Sequence, residues 1–228
     1  VYEKMVNANI ISPLIESKYL KEVSGTETLL STVKNNYRDW KNDGLVLMPE
    51  TVQGSLYSNS LINKIVFTDY NDKRKPAEVK KDMDKTMSYL YDYNDQYPVA
   101  EISNANQASI AYTSFEAQNK GNWVYTGTPA QDNSAPTGKM CYTLGNQISR
   151  SGLSTTTTYL VSYWKKSGTV SVNGATAVAG RTVNGWTYYE HKVINPASGT
   201  ITVTGTNGII DELRLYPTTD VLMTTYTY

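Results

Sequence analysis

The sequence predicts an all-β protein, built as an antiparallel sheet segment followed by a jelly-roll β-sandwich. Three observations carry this. From residue 110 onward, short runs of alternating, Thr- and Tyr-rich sequence follow one another in quick succession, divided by Gly121-Asn122, Ser134-Ala135-Pro136-Thr137-Gly138, Ser167-Gly168, Asn173-Gly174, Asn184-Gly185 and Asn207-Gly208. Tyr occurs 19 times and Phe twice, a choice that suits pleated surfaces with one wet side. About two thirds of the charged residues precede residue 104, which separates a charged first half from a lightly charged second. The small, polar stretch Ser103-Asn104-Ala105-Asn106-Gln107-Ala108-Ser109 is the natural linker between them.

Residues 14–33 admit a helical reading but are poorly capped and rich in β-formers, so strand is preferred there. Residues 32–40 read as another strand. Leu45-Val46-Leu47-Met48 follows and is expected to stop at Pro49; 64–70 stops at Asn71-Asp72, and 86–93 at Asn94-Asp95. In the second half the strands are expected at 110–116, 123–126, 139–144, 157–165, 169–172, 187–194, 200–204 and 209–216. Period-2 alternation puts Tyr159, Val161 and Tyr163 on one face, read as core, and Leu160, Ser162 and Trp164 on the other.

Composition narrows the function. Formal net charge is zero, so nothing favours nucleic acid, whose phosphates call for a basic excess. No apolar run reaches the ~18 residues that span a bilayer. The start lacks a signal-peptide core, the end stops in a strand pattern, and both are expected to be cuts within a longer parent chain. Such a composition is common in secreted bacterial β-proteins. The single cysteine, Cys141, excludes an intrachain disulfide and reads as a small buried hydrophobe.

Phe67-Thr68-Asp69-Tyr70-Asn71-Asp72, Tyr89-Leu90-Tyr91-Asp92-Tyr93-Asn94-Asp95 and the terminal Tyr226-Thr227-Tyr228 share aromatics at alternate positions, followed in the first two by an Asn/Asp turn. This habit resembles the Rhs/YD-repeat family, in the divergent form of large Bacteroidetes surface proteins. The resemblance implies a winding antiparallel sheet joined by Tyr-Asp or Tyr-Asn turns. The chain departs from it by carrying Arg74 and Asp95 where the family prefers Gly, which should strain a turn with φ > 0.

A second likeness brackets residues 110–217. Ser114-Phe115-Glu116 at the start, Tyr159 to Lys166 and Gly185-Trp186-Thr187-Tyr188-Tyr189 in the middle, and Ile209-Ile210-Asp211-Glu212-Leu213-Arg214-Leu215 at the end resemble the galactose-binding-like sandwich of carbohydrate-binding modules. It implies one structural calcium ion held by Glu116 and Asp211, with Glu212 and Asp132 in reserve, since hard oxygen ligands suit that ion. The competing reading leaves Glu116 and Asp211 as solvated strand-end charges, or pairs one of them with Arg214. Glycan is the ligand class implied. Sugar faces stack on flat aromatics, and Trp164, Trp123, Tyr125 and Tyr188, with Trp186, are the available platforms, each set against a packing role.

Catalysis has little support. His191, the one histidine, reads as a satisfied core residue because no nucleophile accompanies it. Asp82 and Asp84 lie in a mixed-charge turn, and the glycines mark hairpins, not a phosphate loop. The expected organisation is thus a degenerate YD-like β segment over 1–103, the sandwich over 104–217, and a further YD-type strand begun in 218–228. Its expected function is non-catalytic binding or display on a large surface protein, the alternatives being purely structural decoration of a repeat array or part of a toxin-encapsulating shell.

Overall fold

The structure, a computed structural model, describes residues 1–228. It divides into two compact units, Val1–Thr86 and Met87–Tyr228. Strands dominate both, and no helix is long and apolar enough to cross a membrane.

The first unit opens with a short helix, α1 (Tyr2–Asn7), and continues as an antiparallel meander: β1 (Glu16–Val23), β2 (Thr26–Asp39), β3 (Leu47–Leu56), β4 (Ile62–Tyr70) and β5 (Pro76–Lys81), each strand pairing with the next. Strand therefore wins over helix across residues 14–33. The reason is local: Ser24 and Gly25 both take positive φ (51° and 80°) in a two-residue loop between the paired Val23 and Thr26, the backbone twist that tight hairpins require. The expected stop at Pro49 does not occur. Pro49 lies opposite Tyr37, next to a register shift between Asn36 and Tyr37, and a bulge is where a ladder tolerates a residue without an N–H. β5 escaped the sequence reading because charged residues dilute its alternation.

The second unit begins with β6 (Thr86–Asp92) and β7 (Tyr97–Ser103), an antiparallel pair. Next come β8 (Ala111–Thr113), β9 (Ala130–Gln131), β10 (Met140–Leu144), β11 (Ile148–Arg150), β12 (Tyr159–Ser167), β13 (Ser171–Val172), β14 (Ala177–Val183), β15 (Trp186–Val193), β16 (Ile201–Thr204) and β17 (Gly208–Pro217). Then β18 (Leu222–Thr225) returns to pair with β7, Leu222 opposite Ser103 and Thr225 opposite Ala100. The segment from β8 to β17 thus takes the place of the turn in a β7–β18 hairpin.

That segment is sandwich-like. One sheet runs β14-β15-β12-β17-β10-β9, with β8 also on β17; the other runs β11-β16-β13. Between them lies a core that includes Phe115, Tyr142, Ile148, Tyr159, Val161, Tyr163, Val203, Ile210 and Leu215. The period-2 reading of β12 holds for its inward side: Tyr159, Val161 and Tyr163 are all in this core. A second cluster, with Leu90, Val99, Ile102, Tyr112 and Met223, packs β6, β7 and β18 against β8. Asn184 and Gly185 (φ 49° and 84°) close β14 onto β15 between paired Val183 and Trp186, the turn expected of Asn-Gly. Residues 123–126 form no strand, only an isolated bridge from Val124 to Ser149, because Trp123 and Tyr125 on either side turn into the core.

Candidate ligand groove

Register builds the site. Trp164 on β12 lies opposite Tyr188 on β15, and Ser162 lies between Glu190 on β15 and Arg214 on β17. These positions share the sheet face turned away from the core. Two bulges complete it. On β17 an extra residue is accommodated between Asp211 and Arg214, where Glu212 takes φ 55°. On β14 the register shifts between Ala179 and Thr182, at Gly180-Arg181. Bulges bend a strand and re-aim its side chains. The result is a groove of about 220 Å³ lined by Trp164, Arg181, Tyr188, Glu212 and Arg214.

Its parts are mutually positioned. The Arg181 guanidinium lies 5.4 Å from the Trp164 ring centroid, and Trp164 meets Tyr188 edge-on at 5.4 Å. Gly180 leaves room for this: a Cβ there would stand 3.2 Å from Tyr188 Cδ1. The Tyr188 hydroxyl donates to Glu190 Oε1 at 3.2 Å, and burial raises its pKa, keeping it a donor. Arg214 Nη2 donates to Glu212 Oε1 and to Thr225 Oγ1 on β18. Arg214 Nε is buried and has no acceptor. Arg181 is exposed and takes part in no ion pair.

Of the expected platforms, Trp164 and Tyr188 come together here, although Trp164 is only 6% exposed and sits over a small cluster with Cys141 and Trp186. Trp123 and Tyr125 go elsewhere. They are 2% and 5% exposed in the sandwich core, where Trp123 Nε1 donates to Leu213 O and Tyr125 packs on Phe115 and Tyr142. Neither ring has a face free for a ligand, because the loop carrying them closes the core.

Glu116 and Asp211 converge on one loop. Glu116 Oε1 accepts the backbone N–H groups of Lys139 (2.8 Å) and Met140. Asp211 Oδ2 accepts both the N–H and the hydroxyl of Thr137 at 3.0 Å, while Oδ1 accepts the Glu212 N–H. Between those anchors, Gly138 has φ +60°, and a Cβ on it would fall 2.2 Å from Glu116 Cδ. Burial pushes the Asp211 carboxyl up to about 7 against the pull of the Thr137 donors. The reserves are engaged too, Glu212 with Arg214 and Asp132 with Lys166 at 2.6 Å. Asp211 is thus neither solvated nor paired with Arg214. These carboxylates are committed to N–H and O–H donors, and no group of three or more His, Cys, Asp or Glu side chains gathers.

His191 is buried. Its Nδ1 lies 2.9 Å from Ala175 O and so carries the proton, leaving Nε2 to accept the Tyr163 hydroxyl at 2.8 Å. Burial lowers its pKa. Both nitrogens are satisfied, as expected of a core histidine.

Arg181 carries no signal in the sequence as a groove residue, and Arg214 pairs with Glu212 rather than with Glu116 or Asp211. An isolated Gly inside an alternating run, as in Ala177-Val178-Ala179-Gly180-Arg181-Thr182-Val183, was the available signal of the β14 bulge. No family model, curated protein or solved structure matches the chain.

Proposed function

We propose that the sandwich is a non-catalytic binding and display module of a larger secreted or surface bacterial chain, with glycan as its ligand class and the groove beside Trp164 and Tyr188 as its site. The jelly-roll topology and the kinship with carbohydrate-binding modules belong to this reading. One observation carries it: away from the core, two aromatic side chains and three charged ones converge on a single groove. Such a mix of apolar faces and fixed hydrogen-bonding groups matches a sugar's own surface. Placement in a β7–β18 hairpin suits display, because a module whose ends lie on neighbouring strands interrupts a sheet at little cost.

A broad glycan array tests this, with the Tyr188→Ala/Arg181→Gln double variant as control. Binding that is seen and then lost supports it. A second reading, structural decoration without a ligand, is favoured by the near-complete burial of Trp164. Silence of the folded protein across the array selects that reading instead.

A further inference from the structure

We infer that the groove selects acidic sugars, a hexuronate carboxylate docking on Arg181 while the pyranose ring lies toward Tyr188. This rests on the glycan reading above and adds the charge of the ligand. The β14 bulge at Gly180-Arg181 does not merely relieve the ladder; the residue after Gly180 projects its guanidinium over Trp164, 5.4 Å from the ring centroid. A guanidinium stacked on an aromatic ring loses little further freedom when its N–H edge meets a carboxylate.

Charge balance points the same way. Glu212 is neutralised by Arg214 through a direct ion pair and also accepts the Thr225 hydroxyl. Arg181 has no such partner, so the five lining residues sum to one positive charge, with the Glu190 carboxylate held at the edge on the Tyr188 hydroxyl. Arg214 Nε adds a buried donor without an acceptor. A neutral sugar would leave the Arg181 charge unanswered, whereas a carboxylate forms charge-assisted, bidentate hydrogen bonds with it. The groove has room for a ligand of about one ring, so it suits a single residue or a chain end.

Calorimetric titration of the whole chain decides it. The probes are glucuronate- and galacturonate-containing oligosaccharides, their neutral glucose and galactose counterparts, and acetate alone. The acidic sugars should bind about tenfold or more tightly than the neutral ones, and the advantage should shrink as salt rises. Arg181→Gln, at an exposed position outside the core, should abolish the advantage, bringing uronate affinity down to that of the neutral sugars on the same variant. Equal binding of neutral and acidic sugars overturns the charge selection while glycan binding stands. Acetate binding as tightly as the uronates overturns it too, since the ring then contributes nothing. No binding of any sugar by the folded protein overturns the glycan reading itself.

Discussion

At the residue scale, positive φ at residues other than Gly marks the tight turns. Arg74 and Asp95 stand where Gly is preferred, and both keep φ > 0 (62° and 58°), Asp95 being the third of three consecutive left-handed residues after Tyr93 and Asn94. Both side chains hydrogen-bond nearby, Arg74 Nε donating to Leu45 O and Asp95 Oδ1 accepting from Asn119 Nδ2. Arg74→Gly should therefore raise stability by about 0.5–1 kcal/mol, relief of left-handed strain exceeding the loss of one exposed hydrogen bond; urea denaturation measures it. Two buried titratable groups make opposing pH predictions. His191 has a lowered pKa, so its contribution is complete above the unfolded value of 6.5 and is lost as pH falls below it. Asp211 is raised from 3.8 to about 7, so its contribution is complete in acid and is lost as pH rises between those values. In denaturation profiles, His191→Gln should leave stability that falls from acid toward pH 7, and Asp211→Asn stability that rises over the same range. Parallel profiles for the two variants would refute both assignments.

At the element scale, alternation and turn chemistry made much of the fold legible. β12, β15 and β17 were anticipated within a few residues, and the Asn184-Gly185 hairpin was announced by its dipeptide. What escaped were elements decided by tertiary context. β14 has every residue exposed and no inward stripe to announce it, and residues 123–126 look strand-like only because their aromatics are needed in the core. Glu116 and Asp211 were legible as candidate site residues, but not what each of them binds: Glu116 takes the Lys139 and Met140 N–H groups and Asp211 takes Thr137. Their partner is the backbone of the 137–140 loop, whose N–H groups carry no sequence signal. Gly138→Ala should cost about 2–4 kcal/mol by colliding with Glu116 at a left-handed position. A chelator, by contrast, should leave the melting temperature of the native protein unchanged. A chelator-induced drop would mean that calcium, not the loop, satisfies these carboxylates.

At the scale of the whole molecule, the second unit joins a sheet fragment to a sandwich through the β7–β18 pairing and the Arg214–Thr225 hydrogen bond. The likeness of residues 226–228 to the earlier Tyr-rich turns hinted that the sheet resumes after the sandwich. Tyr228, beyond the end of β18, packs on Tyr93 and Tyr97, and its hydroxyl donates to Pro98 O. The groove was half legible. Phase along β12 pointed Trp164 away from the core, but its companions Arg181, Glu212 and Arg214 are aimed by two bulges that alternation cannot foresee. The central claim is that this groove is the binding surface of the module, and glycan-array binding of the wild type against the folded Tyr188→Ala/Arg181→Gln variant tests it most directly. The account predicts a wild-type signal that the variant loses; a signal that survives in the variant, or a folded wild type silent across the array, would contradict it.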